Sequence, residues 1–131
     1  MLSRKILIVD HEQNFIDFCR TRLKREAVEV QTVPTGTDAL NRMETEFFDL
    51  LLVEMWPSDM DSLAILRQLQ EMGISIPVII VSDQADIPVN RLTVALQLGV
   101  VNFIEKPCKA EILLDSVHYA LDRSPMNCKR L

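Results

Sequence analysis

The chain alternates between short runs of consecutive apolar residues and longer segments in which apolar residues recur at helical spacing. The runs at residues 6–9, 50–53 and 76–81 have almost no polar interruption. Because a strand covered on both faces has no solvent-facing positions, these runs predict central strands of a parallel sheet. Residues 28–33 alternate instead, which predicts a strand nearer the sheet edge, and residues 100–104 predict the last strand.

Five segments with helical periodicity follow these strands. The first spans residues 12–26, and the second begins at a cap formed by Thr35 or Thr37. The third is capped by Asp61 or Ser62 and stops near Gly73. The fourth has Pro88 in its first turn and ends before Gly99, and the fifth covers residues 109–121. Inward positions are predicted at Cys19, at Leu92, Ala95, Leu96 and Leu98, and at Ile112 or Leu113, Leu114, Val117 and Leu121.

The order of these elements predicts the fold. Five strands, each followed by a helix, require right-handed crossovers and give a (βα)5 doubly wound, five-stranded parallel sheet of the flavodoxin-like type. Residues 1–123 form one predicted domain. Residues 124–131, which begin with Ser-Pro, are expected to be a C-terminal tail or the start of a linker.

Composition and charge narrow the class of protein. A chain of 131 residues with 48% hydrophobic and 25% charged residues suits one globular domain. The formal net charge of −5 argues against a nucleic-acid-binding surface. Three widely spaced cysteines fit reduced thiols, and no apolar run is long enough to cross a membrane. We therefore expect a cytoplasmic protein without a membrane partner.

Polar residues with complementary chemistry follow four of the predicted strands. Asp10 and His11 follow the first, Glu54 ends the third, Ser82 follows the fourth and Lys106 follows the fifth. Ligands of an open parallel sheet bind beyond the carboxyl ends of its strands, so these side chains are expected to meet at one edge. Each residue alone is more simply a turn or cap, but the set combines acidic, hydroxyl and cationic groups.

The chain resembles the receiver domain of two-component response regulators over almost its whole length. The resemblance rests on the segments ILIVDHE at 6–12, DLLLVE at 49–54, MDS at 60–62, PVIIVS at 77–82, ALQLG at 95–99 and FIEKP at 103–107. It implies the flavodoxin-like receiver fold. It also implies a partner, either a histidine kinase or an output domain, bound through the helix 4–strand 5–helix 5 face, with a homodimer as a further option.

The resemblance also assigns roles to the residues at the strand ends. In the family an aspartate after the third strand accepts a phosphoryl group, and Mg²⁺ is held by acidic residues after the first strand. Here Glu54 stands at the phospho-acceptor position, Ser82 and Lys106 match the phosphoryl contacts, and Phe103 matches the switch aromatic. Asp10 matches the first acidic ligand, whereas His11 replaces the second.

Both departures argue against efficient phosphorylation. A glutamate reaches about 1.5 Å further than an aspartate, and phosphoryl transfer depends on positioning. An imidazole is a poor substitute for a hard oxygen ligand of Mg²⁺, so we expect either no cofactor or weak Mg²⁺ binding at Asp10, Glu54 and His11, with Glu12 as a further candidate ligand. Glu54 then either imitates a phosphorylated residue by reaching Lys106 and Ser82, or simply pairs with Lys106 and leaves an inert switch.

Three functions remain open on these observations. The first is a degenerate receiver that acts as a phosphorylation-independent protein-interaction module and is not an enzyme. The second is a working phosphoryl-accepting receiver with an unusual acceptor or metal site. The third is a flavodoxin-like cofactor-binding domain, which lacks a recognisable phosphate loop. Asp59 and Asp61 are expected to cap or shape the loop after Glu54, and His118 is expected on the surface.

Overall fold

A parallel sheet of five strands forms the centre of the computed structural model, which describes residues 3–83 and 87–123. The predicted tail at 124–131 lies outside the described residues. The strands are β1 Arg4–Val9, β2 Val28–Val33, β3 Leu50–Glu54, β4 Val78–Ser82 and β5 Val100–Glu105. The helices are α1 Gln13–Leu23, α2 Gly36–Thr45, α3 Ser62–Glu71, α4 Val89–Gln97 and α5 Ala110–Leu121.

The strand order is β2-β1-β3-β4-β5, and every neighbouring pair is parallel. The predicted doubly wound fold is therefore confirmed. The fully apolar runs occupy the interior of the sheet as β1, β3 and β4, whereas the alternating run β2 lies at an edge. This placement follows from the physics of burial, since only strands with helices on both faces require continuous apolar sequence.

Two hydrophobic clusters lie on opposite faces of the sheet. One packs α2, α3 and α4 against the strands, with Leu66 and Ile80 among its buried members. The other packs α1 and α5 against the opposite face and contains Cys19, Ile79 and Leu113. Burial raises the pKa of the Cys19 thiol to about 12, as expected for a core cysteine.

The helix caps confirm one member of each predicted pair. Thr35 caps α2 by accepting a hydrogen bond from the Asp38 N–H, and Asp61 caps α3 by accepting one from the Leu63 N–H. Gly73 follows the end of α3 with φ of 75°, a left-handed conformation that glycine adopts at little cost.

The largest differences from the sequence prediction concern α4 and α5. Pro88 caps α4 rather than entering its first turn, and Leu96, predicted to face inward, is 60% exposed. On α5, Leu113 is the buried member of its predicted pair, whereas Ile112 is half exposed. The first helix ends at Leu23, earlier than predicted. Each helix in the described part of the chain is too short or too polar to pass through a lipid bilayer.

Candidate functional site

The predicted functional residues lie at the carboxyl edge of the sheet, where a cavity of about 420 Å³ opens. Glu54 and Ser82 are the last residues of β3 and β4, and Asp10 and Lys106 directly follow β1 and β5. The strand order reverses direction between β1 and β3, and such a switch point separates the connecting helices and leaves room for a site. The cavity is lined by His11, Glu12, Glu54, Met55, Trp56, Val81, Ser82, Asp83 and Lys106.

Glu54 is buried, and its carboxylate is held by His11. Glu54 Oε2 accepts a hydrogen bond of 3.0 Å from the His11 backbone N–H, and the His11 Nδ1 atom lies 3.0 Å from the same oxygen. Burial raises the pKa of Glu54, although the hydrogen bond from His11 opposes that shift. The same hydrogen bond and the Glu54 charge raise the pKa of His11. Glu54 and His11 therefore form an ion pair or a neutral hydrogen-bonded pair.

Lys106 pairs with the two acidic residues that follow β1, Asp10 and Glu12. Its Nζ atom lies 2.9 Å from Asp10 Oδ2 and 3.5 Å from Glu12 Oε1. Burial alone would lower the pKa of Lys106, but the hydrogen bond and charge of Asp10 outweigh it and the pKa is raised. Asp10 is almost completely buried, and its Oδ1 atom accepts a hydrogen bond from the Glu12 N–H.

This pairing differs from both arrangements considered for Glu54. Among the ion pairs between described residues, Glu54 is joined to His11, and Lys106 is joined to Asp10 and Glu12. The Glu54 carboxylate thus contacts the β1–α1 loop instead of Lys106. The sequence pattern identified the members of the cluster, but the expected pairing of Glu54 with Lys106 is wrong.

Asp61, in the loop between β3 and α3, forms an ion pair with Arg91 of α4. Asp61 accepts hydrogen bonds of 2.5 and 2.9 Å from the two terminal nitrogens of Arg91 on α4. The Arg91 guanidinium also lies 4.2 Å from the ring centre of Trp56, which makes a cation–π contact. Trp56 lines the cavity while remaining 46% exposed.

At the other side of the same loop, Asp59 binds the first turn of α2. Its carboxylate accepts hydrogen bonds from the backbone N–H groups of Gly36 and Thr37 and from the Thr37 hydroxyl. The hydrogen bond from the Thr37 hydroxyl, with the backbone N–H groups, lowers the pKa of Asp59. A negative charge at a helix N-terminus is also favoured by the helix dipole. Asp59 and Asp61 therefore have structural partners, as predicted.

Asp10, His11 and Glu54 could together hold a metal ion, since one ligand atom from each lies within 4.8 Å of the others. The donor set is two carboxylates and one imidazole. Mg²⁺ requires near-octahedral oxygen coordination and is bound weakly by imidazole nitrogen, and here the Lys106 ammonium also lies beside Asp10. The residues present therefore fit Mg²⁺ poorly.

Two further residues singled out from the sequence, Phe103 and His118, lie outside the cavity lining. Phe103 lies on β5, half buried, and packs against the cluster formed by α2, α3 and α4 outside the cavity lining. His118 is on the surface of α5, where its Nε2 atom lies 2.7 Å from Glu26 Oε1. Sequence reasoning missed the contact role of Arg91, because its partner lies 30 residues away and no local signal links them.

The comparisons with known proteins agree with this geometry. Residues 6–118 match the sequence model of the response regulator receiver domain. The chain is 28% identical over 119 residues to the transcriptional regulatory protein GlrR of Escherichia coli and 30% identical over 121 residues to the response regulator ArlR of Staphylococcus aureus. These alignments cover 91% and 92% of this chain but only 26% and 54% of those relatives.

A solved structure supports the same assignment. The CheY-like response regulator receiver domain protein from Methanospirillum hungatei superimposes with a TM-score of 0.83 at 27% identity, covering 93% of this chain and 96% of that one. The sheet order and the positions of all five helices therefore correspond to those of a solved receiver structure.

Proposed function

The chain belongs to the response regulator receiver domain family of two-component systems, and from that premise we propose that it acts as a protein-interaction module whose state does not depend on phosphorylation. The observation that carries the proposal is the pairing of Glu54, the residue at the phospho-acceptor position, with His11. Both hydrogen bonds are made to Oε2 and hold the carboxylate against the β1–α1 loop, which disfavours its attack on a phosphodonor. We expect no catalytic activity of its own from the domain, and a cytoplasmic location stays a prediction.

The position of Glu54 supports this proposal on grounds of geometry. In-line phosphoryl transfer needs the attacking oxygen within a few tenths of an ångström of its productive position, and effects of misplacement on rate are large. The Glu54 carboxylate is displaced along its longer side chain and accepts hydrogen bonds from His11. An attack by Oε2 would have to break both hydrogen bonds in a buried site, which adds to the barrier.

The surroundings of Lys106 bear on whether Glu54 imitates a phosphate. A mimic would place its negative charge on Lys106. Instead, Lys106 already has Asp10 and Glu12 as partners at 2.9 and 3.5 Å. We therefore infer that the site is inert towards phosphodonors and that Glu54 does not act as an active-state mimic.

The proposed partner surface is the face formed by α4, β5 and α5. It exposes large apolar side chains, with Val89 at 77% and Leu96 at 60% on α4, and Ile112 and Tyr119 half exposed on α5. Exposed aromatic and aliphatic residues of this kind are typical of interaction surfaces. A histidine kinase, an output domain or a second copy of the chain are the partners expected there.

One observation favours the alternative, a working receiver. Asp10, Ser82 and Lys106, which match phosphorylation chemistry, are present at the same sheet edge as Glu54. The departures at the reaction centre itself are therefore Glu54 and His11. By contrast, the charged lining of the cavity and the family assignment argue against a flavodoxin-like cofactor site.

The test is incubation with Mg²⁺ and acetyl phosphate, followed by intact-mass spectrometry. Four proteins are compared: the natural chain, Glu54→Asp, His11→Asp and the double variant. The double variant has the family's aspartate at both positions and is expected to gain one phosphoryl group. The natural chain is expected to stay unmodified. A phosphoryl group on the natural chain would overturn the proposal and support the working receiver. If the double variant also stays unmodified, the pocket is inert for reasons beyond these two residues.

A further inference from the structure

The cluster of His11, Glu54 and Asp10 differs from an all-oxygen site in a way that selects among metal ions. The ligand atoms of the three residues lie within 4.8 Å of one another, and His11 and Glu54 line the 420 Å³ cavity. We propose that this cluster binds a borderline transition-metal dication, of the class of Zn²⁺ and Co²⁺, in preference to Mg²⁺. The proposal concerns metal selectivity and does not require the site to be phosphorylated or inert.

The donor chemistry carries the choice of ion. One imidazole nitrogen with two carboxylates is a common ligand set for Zn²⁺ and related dications, and three protein ligands leave coordination positions for water. Mg²⁺ gains little from the imidazole and loses an oxygen ligand at that position. Affinity of nitrogen-containing sites for divalent ions also rises strongly along the first transition series.

The distances require only small adjustments. Ligand atoms around Zn²⁺ at about 2.0–2.2 Å lie roughly 3–3.5 Å from one another. The His11 Nδ1 and Glu54 Oε2 atoms are already 3.0 Å apart. His11 belongs to the exposed β1–α1 loop, and its side chain is 63% exposed, so its ring can turn towards an ion without disturbing the core.

The third ligand is buried and oriented by the fold. Asp10 is 1% exposed, and its Oδ2 atom is paired with the Lys106 ammonium at 2.9 Å. This ion pair makes Lys106 a competitor of any metal ion for Asp10. A dication with two positive charges can displace one ammonium, particularly when Glu12 remains within 3.5 Å of Lys106.

The chain contains a fluorescent reporter of metal binding, Trp56, and a control residue for His11, His118. Trp56 is the only tryptophan and lines the same cavity, so Co²⁺ bound at the cluster should quench its fluorescence. The second histidine, His118, pairs with Glu26 on the surface of α5, a similar histidine–glutamate contact without a third metal-ligating residue in the described part of the chain. His118→Ala is therefore the matched control for His11→Ala.

The experiment titrates the purified full chain with Co²⁺ and with Zn²⁺, using Trp56 fluorescence and calorimetry and no phosphodonor. We expect saturable binding that persists in roughly a hundredfold excess of Mg²⁺. His11→Ala should weaken Co²⁺ binding by about tenfold or more, and His118→Ala should leave it unchanged. The Co²⁺ spectrum should lack a thiolate charge-transfer band, which excludes binding at the cysteines.

Two further variants make the selectivity itself testable. His11→Asp replaces the imidazole with oxygen and should lower the ratio of Co²⁺ to Mg²⁺ affinity by about tenfold or more. Lys106→Met removes the competitor for Asp10 and should tighten Co²⁺ binding several-fold. Equal Co²⁺ affinity of His11→Ala and the natural chain would overturn the proposal, as would equal affinity for Mg²⁺ and Co²⁺. Circular dichroism of each variant verifies the fold, and His11 is exposed enough for its replacement to be tolerated.

Discussion

At the scale of single residues, Asp61 has two functions at the end of the loop that follows Glu54. It caps α3 through the Leu63 N–H, and it accepts two hydrogen bonds from the Arg91 guanidinium. Those hydrogen bonds from Arg91 lower the pKa of Asp61. The carboxylate is thus more stable in the folded chain than in the unfolded chain, and the stability it contributes depends on pH.

The sign of that dependence follows from the lowered pKa. The contribution of Asp61 to the free energy of unfolding is fully present above the unfolded pKa of about 3.9 and is lost as the pH falls through the lower folded pKa. We expect Asp61→Asn to be less stable than the natural chain at neutral pH by at most about 1 kcal/mol, because the aspartate is 42% exposed. The difference should shrink below about pH 4. Urea unfolding at a series of pH values measures it.

Arg91→Met provides the control for this prediction. Without the guanidinium, Asp61→Asn should show little pH-dependent cost, since the main cause of the lowered pKa has been removed. If the cost of Asp61→Asn had the same pH profile with and without Arg91, the attribution to Arg91 would be wrong.

What the sequence predicts at this scale depends on the range of the contact. The capping role of Asp61 was predictable because Leu63 is two residues away. The Asp61–Arg91 pair and the Glu54–His11 pair join residues 30 and 43 positions apart. The pattern placed Glu54 and His11 at the same sheet edge, but which acid meets which base depends on side-chain lengths of a few ångströms that periodicity does not encode.

At the scale of elements, the first turn of α2 is packed tightly beneath the loop between β3 and α3. A Cβ atom added to Gly36 would lie 2.6 Å from Met60 Cγ and 2.7 Å from Ile65 Cδ1. Both distances are well below van der Waals contact, and Ile65 is completely buried. Asp59 also binds the Gly36 N–H, so α2 has little freedom to move away from the loop.

Gly36→Ala is therefore expected to destabilise the domain. Overpacking of this kind costs about 1–3 kcal/mol, more than the gain of up to about 1 kcal/mol from the better helix propensity of alanine. Chemical denaturation measures the change. The double variant Gly36→Ala/Met60→Ala removes the nearest clashing side chain, and its loss of stability should be smaller than the sum of the two single losses. Additive losses would show that crowding by Met60 is not the cause.

The prediction of elements succeeded for strands and was weaker for helix faces. Strand burial is imposed by continuous apolar sequence, as in β1 and β3. The inward face of α4 is less constrained: only Ala95 is buried among the α4 residues, so the helix makes shallow contact and Leu96 remains on the surface. Pro88 is tolerated at the N-cap because its φ of −55° is within the range that its ring allows and no intrahelical hydrogen bond is required from its nitrogen there.

At the scale of the whole molecule, the two hydrophobic clusters share the central strands of the sheet. Alternate residues of the same central strands point into opposite clusters, with Leu51 and Val53 on one face and Leu50 and Leu52 on the other. The fold was predictable from sequence because this two-sided burial leaves a continuous apolar signature. Loss of packing on either face must therefore weaken the shared strands and the site at their carboxyl ends.

This coupling predicts the response to a cavity on each face. Leu66→Ala on the α3 side and Leu113→Ala on the α5 side remove side chains that are 2% and 0% exposed, and each should cost about 2–5 kcal/mol. In both variants, the helical circular dichroism and the Trp56 fluorescence should change in one urea transition. This holds for Leu113→Ala as well, although Leu113 belongs to the α1–α5 cluster and Trp56 to the β3–α3 loop. Separate transitions for the two probes in Leu113→Ala would show that the β3–α3 loop and its cavity unfold independently of the α1–α5 face. Because Glu54 and Ser82 end strands shared by both clusters, a single transition also implies that the site persists only while both faces stay packed.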